Sequence, residues 1–109
     1  MNFKVKTTEP FEKQVKRLLK KYPSLKEELL DIVTLLKVNP VQGTIIGKNC
    51  YKLRMSIASK GKGKSGGARI ITHFVITHQT VYLLTIYDKA EKDNISDNEL
   101  KDLLQFIPD

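Results

Sequence analysis

Apolar residues recur along this chain at two different periods, and the change between them divides it. Residues 2–8, NFKVKTT, alternate Phe3 and Val5 with Lys4 and Lys6, the pattern of a half-buried strand. From there the spacing turns helical. Phe11, Val15, Leu18 and Leu19 fall on one side and Lys13, Lys16, Arg17 and Lys20 on the other. Thr7 or Thr8 supplies an N-cap, Glu9 and Pro10 suit a first turn, and Tyr22-Pro23 ends the helix. Ser24 with Glu27 has capping-box spacing and opens a second helix, whose stripe is Leu25, Leu29, Ile32, Val33 and Leu36 and whose end is Asn39-Pro40. The joint between the helices is short, which predicts an antiparallel hairpin.

After a stretch around Gly43 and Gly47 that reads as loop, the period becomes two. YKLRMSI puts Tyr51, Leu53, Met55 and Ile57 on one face and Lys52, Arg54 and Ser56 on the other. ARIITHFVIT (68–77) and TVYLLTIY (80–87) are rich in β-branched and aromatic residues on both faces, as central strands are. The pair His78-Gln79 between them predicts a tight hairpin. Ser96 with Glu99 forms another capping signature before Leu100, Leu103, Leu104 and Phe106, a short helix closed by Pro108. The predicted order is strand, two helices, three antiparallel strands and a short helix: an α+β fold in one domain, residues 1–109.

Composition narrows the function classes. At 109 residues and 40% hydrophobic content the chain has an ordinary globular balance. No apolar run reaches membrane-spanning length, and MNFKVKTTEP lacks a signal-peptide core. The lone cysteine, Cys50, can form no internal disulfide and reads as a small buried residue at a strand start. With only His73 and His78 beside it, no metal site is expected, nor any cofactor. These features point to a reducing cytoplasm.

Charge changes the picture more. The chain carries a net +7, and residues 41–75 hold seven cations and no acid. Solvated surfaces mix signs, so a one-sign block of that length points to a polyanion, nucleic acid first and an acidic protein second. Within it, ASKGKGKSGGARII (58–71) matches a relaxed nucleotide-loop pattern at Gly63-Lys64-Ser65. A nucleotide loop must lead into a helix N-terminus, and here a strand follows, so that match is rejected. What remains is a connection carrying Lys60, Lys62 and Lys64 at alternate positions, suited to a sugar-phosphate chain.

The run CYKLRMSIASKGKGKSGGARIITHF, followed by VYLLTIYDKAEKDNIS, resembles the RelE superfamily of bacterial toxins, nearest to HigB-type members with an SKGKGKxGGxRI signature. The resemblance covers essentially the whole chain. It implies a RelE-like fold: an N-terminal strand and helical hairpin packed on a small, curved, mainly antiparallel sheet, with a short C-terminal helix. It further implies a ribosome-dependent mRNA endonuclease, acting in the ribosomal A site without a metal and held silent by a cognate antitoxin in a hetero-oligomer.

Metal-free RNA cleavage uses the ribose 2′-OH as nucleophile and needs close-set cations plus proton carriers. Lys52, Arg54 and Arg69 match the family's basic triplet, with arginine in place of the second lysine. Lys52 or a loop lysine is then the candidate base, and Arg54 and Arg69 are phosphate clamps. Tyr87 and Lys89 fall in the family's second active segment, and Lys60, Lys62, Lys64 and Lys92 are candidate RNA contacts. The chain departs from the family in having Ala90 where an arginine is usual and Ser96 near the usual catalytic tyrosine, which leaves the general acid open. His73, on Arg69's face, is a further proton-transfer candidate or a packed core histidine; His78 is expected to be exposed. Two other readings stay open: a gyrase-inhibiting toxin of the ParE type, and a non-enzymatic nucleic-acid-binding module.

Overall fold

A computed structural model describes residues 2–61 and 66–108. Its elements run β1 (Lys4–Thr7), α1 (Glu9–Lys21), α2 (Leu25–Val38), β2 (Thr44–Gly47), β3 (Cys50–Met55), β4 (Ala68–Val75), β5 (Thr80–Asp88) and α3 (Asp97–Leu104). Short 3-10 turns occupy Ala58–Lys60 and Ile76–His78. The five strands form one mixed sheet in the order β1-β5-β4-β3-β2, with β1 parallel to β5 and the remaining pairs antiparallel. Among the described residues no helix is long and apolar enough to cross a membrane.

Helices α1 and α2 cover one face of the sheet. Phe11, Val15, Leu18, Leu25 and Leu36 pack there against Leu53, Met55, Ile70, Leu83 and Ile86. The opposite face is covered only in part, by α3, whose Leu100 packs with Cys50, Ile71, Tyr82, Leu84 and Tyr87. Two caps follow the sequence. Thr8 Oγ1 accepts from Phe11 N at 3.4 Å, and Ser96 and Glu99 form a reciprocal capping box on α3.

Three expectations are corrected. Thr44–Gly47, read as loop, is a strand turning back to β3 through Lys48 and Asn49, both at positive φ (53° and 58°). This is hairpin-turn geometry built without the usual Asn-Gly signal. The β4–β5 turn is longer than two residues: β4 ends at Val75, and the chain reverses over residues 76–79 with Gln79 left-handed at φ 48°. Ser24 and Glu27 form no capping box. Ser24 is itself helical in φ and ψ, and its hydroxyl instead donates to Glu28 (3.0 Å) and lies 2.6 Å from Ser59 Oγ.

One irregularity positions the rest. Ile71 pairs with Thr85 but Thr72 pairs with Leu83, which leaves Leu84 as an extra residue on β5. Side chains alternate along a strand, so one inserted residue reverses the facing of everything beyond it. Before the bulge Val81 and Leu83 point to the helical pair; after it Ile86 does. Tyr87 is thereby turned to the α3 side.

Candidate nucleic-acid interface

Beyond the edge of α3 the second face of the sheet becomes cationic. The strand registers align Arg54 with Arg69 and Arg69 with Tyr87, a single row across β3, β4 and β5. Directly opposed residues share a face, so the three side chains rise together. The neighbouring row is Lys52, Ile71 and Thr85, and the next is Cys50, His73 and Tyr82. Two guanidiniums on directly opposed strand positions repel each other, and a nearby anion relieves that repulsion.

The members of the row differ in exposure. Arg54 is exposed, whereas Arg69 is only 4% exposed and donates from Nη1 to its neighbour Ala68 O at 3.1 Å. Tyr87 is buried too, and its hydroxyl has no hydrogen-bond partner among the described residues. Burial raises the Tyr87 pKa, opposed by Arg69 and reinforced by Asp93, so the phenol stays protonated at neutral pH and keeps its proton to donate. An orphaned buried hydroxyl beside a guanidinium is suited to a ligand oxygen.

The turn after β5 supplies two more cations. Lys89 Nζ bonds the carboxylate of Asp93 and also its carbonyl oxygen, the latter at 3.0 Å. Lys92 Nζ lies 5.8 Å above the Tyr87 ring and pairs with Glu99. Asp93 is therefore an acid set among cations. The hydrogen bond from Lys89 is the main cause of its lowered pKa, followed by the charge of Lys89, with Lys52 and Arg69 adding to it from across the face. Sequence reasoning passed over Asp93, because the Lys89–Asp93 pair forms in a turn, where a spacing of four carries no contact signal.

The structure brings Lys52, Arg54, Arg69, Tyr87, Lys89 and Lys92 to one face and takes Lys60 away from it. Lys60 Nζ bonds Asp88 Oδ1 at 2.5 Å, with side chains 8% and 0% exposed. Asp88 faces the helical pair, since Tyr22 of that core donates to its Oδ2 at 2.6 Å. The expected phosphate contact at Lys60 is thus replaced by an internal ion pair. Lys62 and Lys64 lie outside the described residues.

Cys50 and His73 sit together in the third row, Sγ 3.5 Å from Nδ1. Burial pushes the thiol up to about 11, against the pull of Lys48, so it is an unreactive core thiol at neutral pH. Burial also lowers the His73 pKa, only partly offset by hydrogen bonds with the Asn49 and Lys48 backbone. His78 hydrogen-bonds Tyr82 Oη at 2.9 Å, and so does more than lie in solvent. Among the described residues no three His, Cys, Asp or Glu side chains cluster as metal ligands.

Comparison with known proteins identifies the fold and the family. Residues 7–107 match the family model described as the RelE toxin of the RelE / RelB toxin-antitoxin system. A double-arginine variant of the E. coli toxin RelE in its free state shares the fold at TM-score 0.63 and 14% identity, over 99% of this chain and all of that one. Isolated E. coli RelE matches at TM-score 0.58 and 14% identity, over 96% and 99% of the two chains. A metal-bound toxin from Helicobacter pylori matches at TM-score 0.53 and 16% identity, over 82% and 97%.

Proposed function

The chain belongs to the RelE toxin family, and from that premise we propose that it is an mRNA endonuclease acting on the ribosome and silenced by a cognate antitoxin. The observation that carries the reading is the row Arg54–Arg69–Tyr87 with Lys52 beside it. It combines cations able to hold a phosphate with a protonated phenol that has no hydrogen-bond partner among the described residues, on one face.

In the proposed reaction the ribose 2′-oxygen attacks the adjacent phosphorus. Its proton passes to a base, for which Lys52 is the candidate, and the bond from phosphorus to the 5′-oxygen breaks. The products are a 2′,3′-cyclic phosphate and a 5′-hydroxyl, and the latter takes its proton from Tyr87. Arg54 and Arg69 bind the non-bridging oxygens, where negative charge grows as the phosphorus becomes five-coordinate. Lys89 and Lys92 extend the cationic surface along the RNA backbone. Ser96, near the family's usual catalytic tyrosine, caps α3 here, which favours Tyr87 as the proton donor. An antitoxin segment that covers or neutralises this face would silence it, in keeping with the toxin-antitoxin character of the family.

The test is cell-free translation with wild-type protein, Arg54→Ala and Arg69→Ala, mapping mRNA ends by primer extension. Cuts that require ribosomes and vanish in both variants are expected. Translation left intact at protein concentrations above that of ribosomes would sink the reading, and gyrase inhibition would then be the next assay.

A further inference from the structure

We propose that Asp88 is a positioning residue: its carboxylate ties the turn leading into the glycine-lysine loop to the turn carrying Lys89, and so fixes Tyr87 and Lys89 relative to the substrate phosphate. The proposal rests on the endonuclease reading above.

Donors from three separate segments converge on this one buried group. Tyr22, the residue that ends α1, donates to Oδ2 at 2.6 Å. Lys60, from the 3-10 turn after β3, donates to Oδ1 at 2.5 Å, and Ala90 N donates to the same oxygen at 3.0 Å. The Lys60 ammonium also lies 5.6 Å above the Tyr22 ring. Each turn also has a contact to the body of the fold. Ala58 N donates to Glu28 Oε2 on α2 at 2.8 Å, and Lys89 N donates to Gly67 O at 3.0 Å.

The placement of Asp88 gives this node its consequence. It is the last residue of β5, between Tyr87 on the opposite face and Lys89 at the start of the turn. Its own carbonyl accepts from Glu91 N and Lys92 N, both at 3.0 Å, which shapes the turn that presents Lys92 to the Tyr87 ring. Rotation at Asp88 would carry Tyr87 and Lys89 with it. A buried ion pair is seldom a net stabiliser when compared with an apolar pair of like volume, so packing alone gives no reason for charge here. A carboxylate held by three donors instead gives the backbone a fixed direction. Burial raises the Asp88 pKa, but hydrogen bonds from Lys60, Tyr22 and Ala90 outweigh that and bring it to about 2, so the node persists across the physiological range.

The experiment measures single-turnover mRNA cleavage on programmed ribosomes with the Lys60→Met/Asp88→Asn double variant, which leaves no buried charge unpaired. Circular dichroism melting first verifies that it folds. The expected result is a rate constant at saturating protein about 100-fold lower, with an unchanged end-point of cleavage, since displacement by about 1 Å costs on that order. A wild-type rate constant in the folded variant overturns the proposal, and so does a lower end-point at an unchanged rate, which marks a purely structural role. If the double variant fails to fold, Tyr22→Phe decides: about a threefold slower rate is expected from loss of one donor, and no change overturns the idea. If wild-type protein cuts nothing, the endonuclease reading fails separately. Amide exchange at Ala90, Glu91 and Lys92 then decides: acceleration of about tenfold in the double variant, or in Tyr22→Phe, supports the anchoring, and unchanged exchange overturns it.

Discussion

Tyr87 and Asp88 are neighbours in the chain, yet they meet opposite electrostatic conditions because they face opposite sides of the sheet. On the helical side, the Asp88 carboxylate is balanced inside the protein by Lys60, Tyr22 and Ala90 N. On the other side, Arg54, Arg69, Lys52 and Lys89 gather around the Tyr87 row with the exposed Asp93 as the acid among them. A charge satisfied from within serves the fold. Cations gathered on one face in excess of the acids among them leave a positive field for an external anion. The same sheet thus carries a closed electrostatic system on one face and an open one on the other.

The largest expected effect tests that division directly. Asp88→Ala leaves the Lys60 ammonium buried without its partner, and urea unfolding should show a loss of about 3 kcal/mol or more. Arg54→Ala, on the open face, should change stability by no more than about 0.5 kcal/mol. Equal losses from both would erase the distinction between the faces.

Next in size, Tyr87→Phe should slow cleavage about 100-fold, as expected for loss of a proton donor. It should leave the melting temperature equal or higher, because the hydroxyl it removes is buried without a partner among the described residues. A large drop in stability would assign the phenol to the closed system.

The pH dependence of stability comes third. The Asp88 pKa is lowered from 3.8 to about 2 in the folded state, so its contribution is complete above pH 4 and is lost as pH falls through 2. Wild-type protein should therefore lose about 2 kcal/mol between pH 4 and pH 2 that Asp88→Asn does not lose. Parallel curves for the two proteins would refute the linkage.

The smallest effects concern binding. Asp93→Asn removes the acid bonded to Lys89 and should raise affinity for single-stranded RNA about threefold at low salt, as measured by fluorescence anisotropy. In the same assay Arg54→Ala should reduce the salt slope of log K by about 1, while Lys60→Ala should leave it unchanged. A slope change from Lys60→Ala would return that lysine to the RNA surface.

Local signals account for the parts of the fold that were legible beforehand. The stripe Phe11, Val15, Leu18 and the cap Thr8 define α1 by contacts within a few residues, and Ser96 with Glu99 does the same for α3. Alternation along residues 51–57 correctly put Lys52 and Arg54 on one face. Strand β2 escaped notice because four residues closed by Lys48 and Asn49 carry neither length nor turn signal. The Ser24 signature misled because the hydroxyl found Ser59 and Glu28 instead of the helix end.

What the sequence determined by itself, then, is everything fixed by short-range periodicity and composition: three helices, the main strands and the positive block. Tertiary structure alone decided which charged and polar residues share a face. The extra residue at Leu84 reverses the facing of Tyr87 and Asp88, because side-chain direction along a strand depends on parity counted from a distant register. The pairing of Lys60 with Asp88, 28 positions away, removes one lysine from the cationic set because a buried carboxylate requires a partner wherever the fold supplies one.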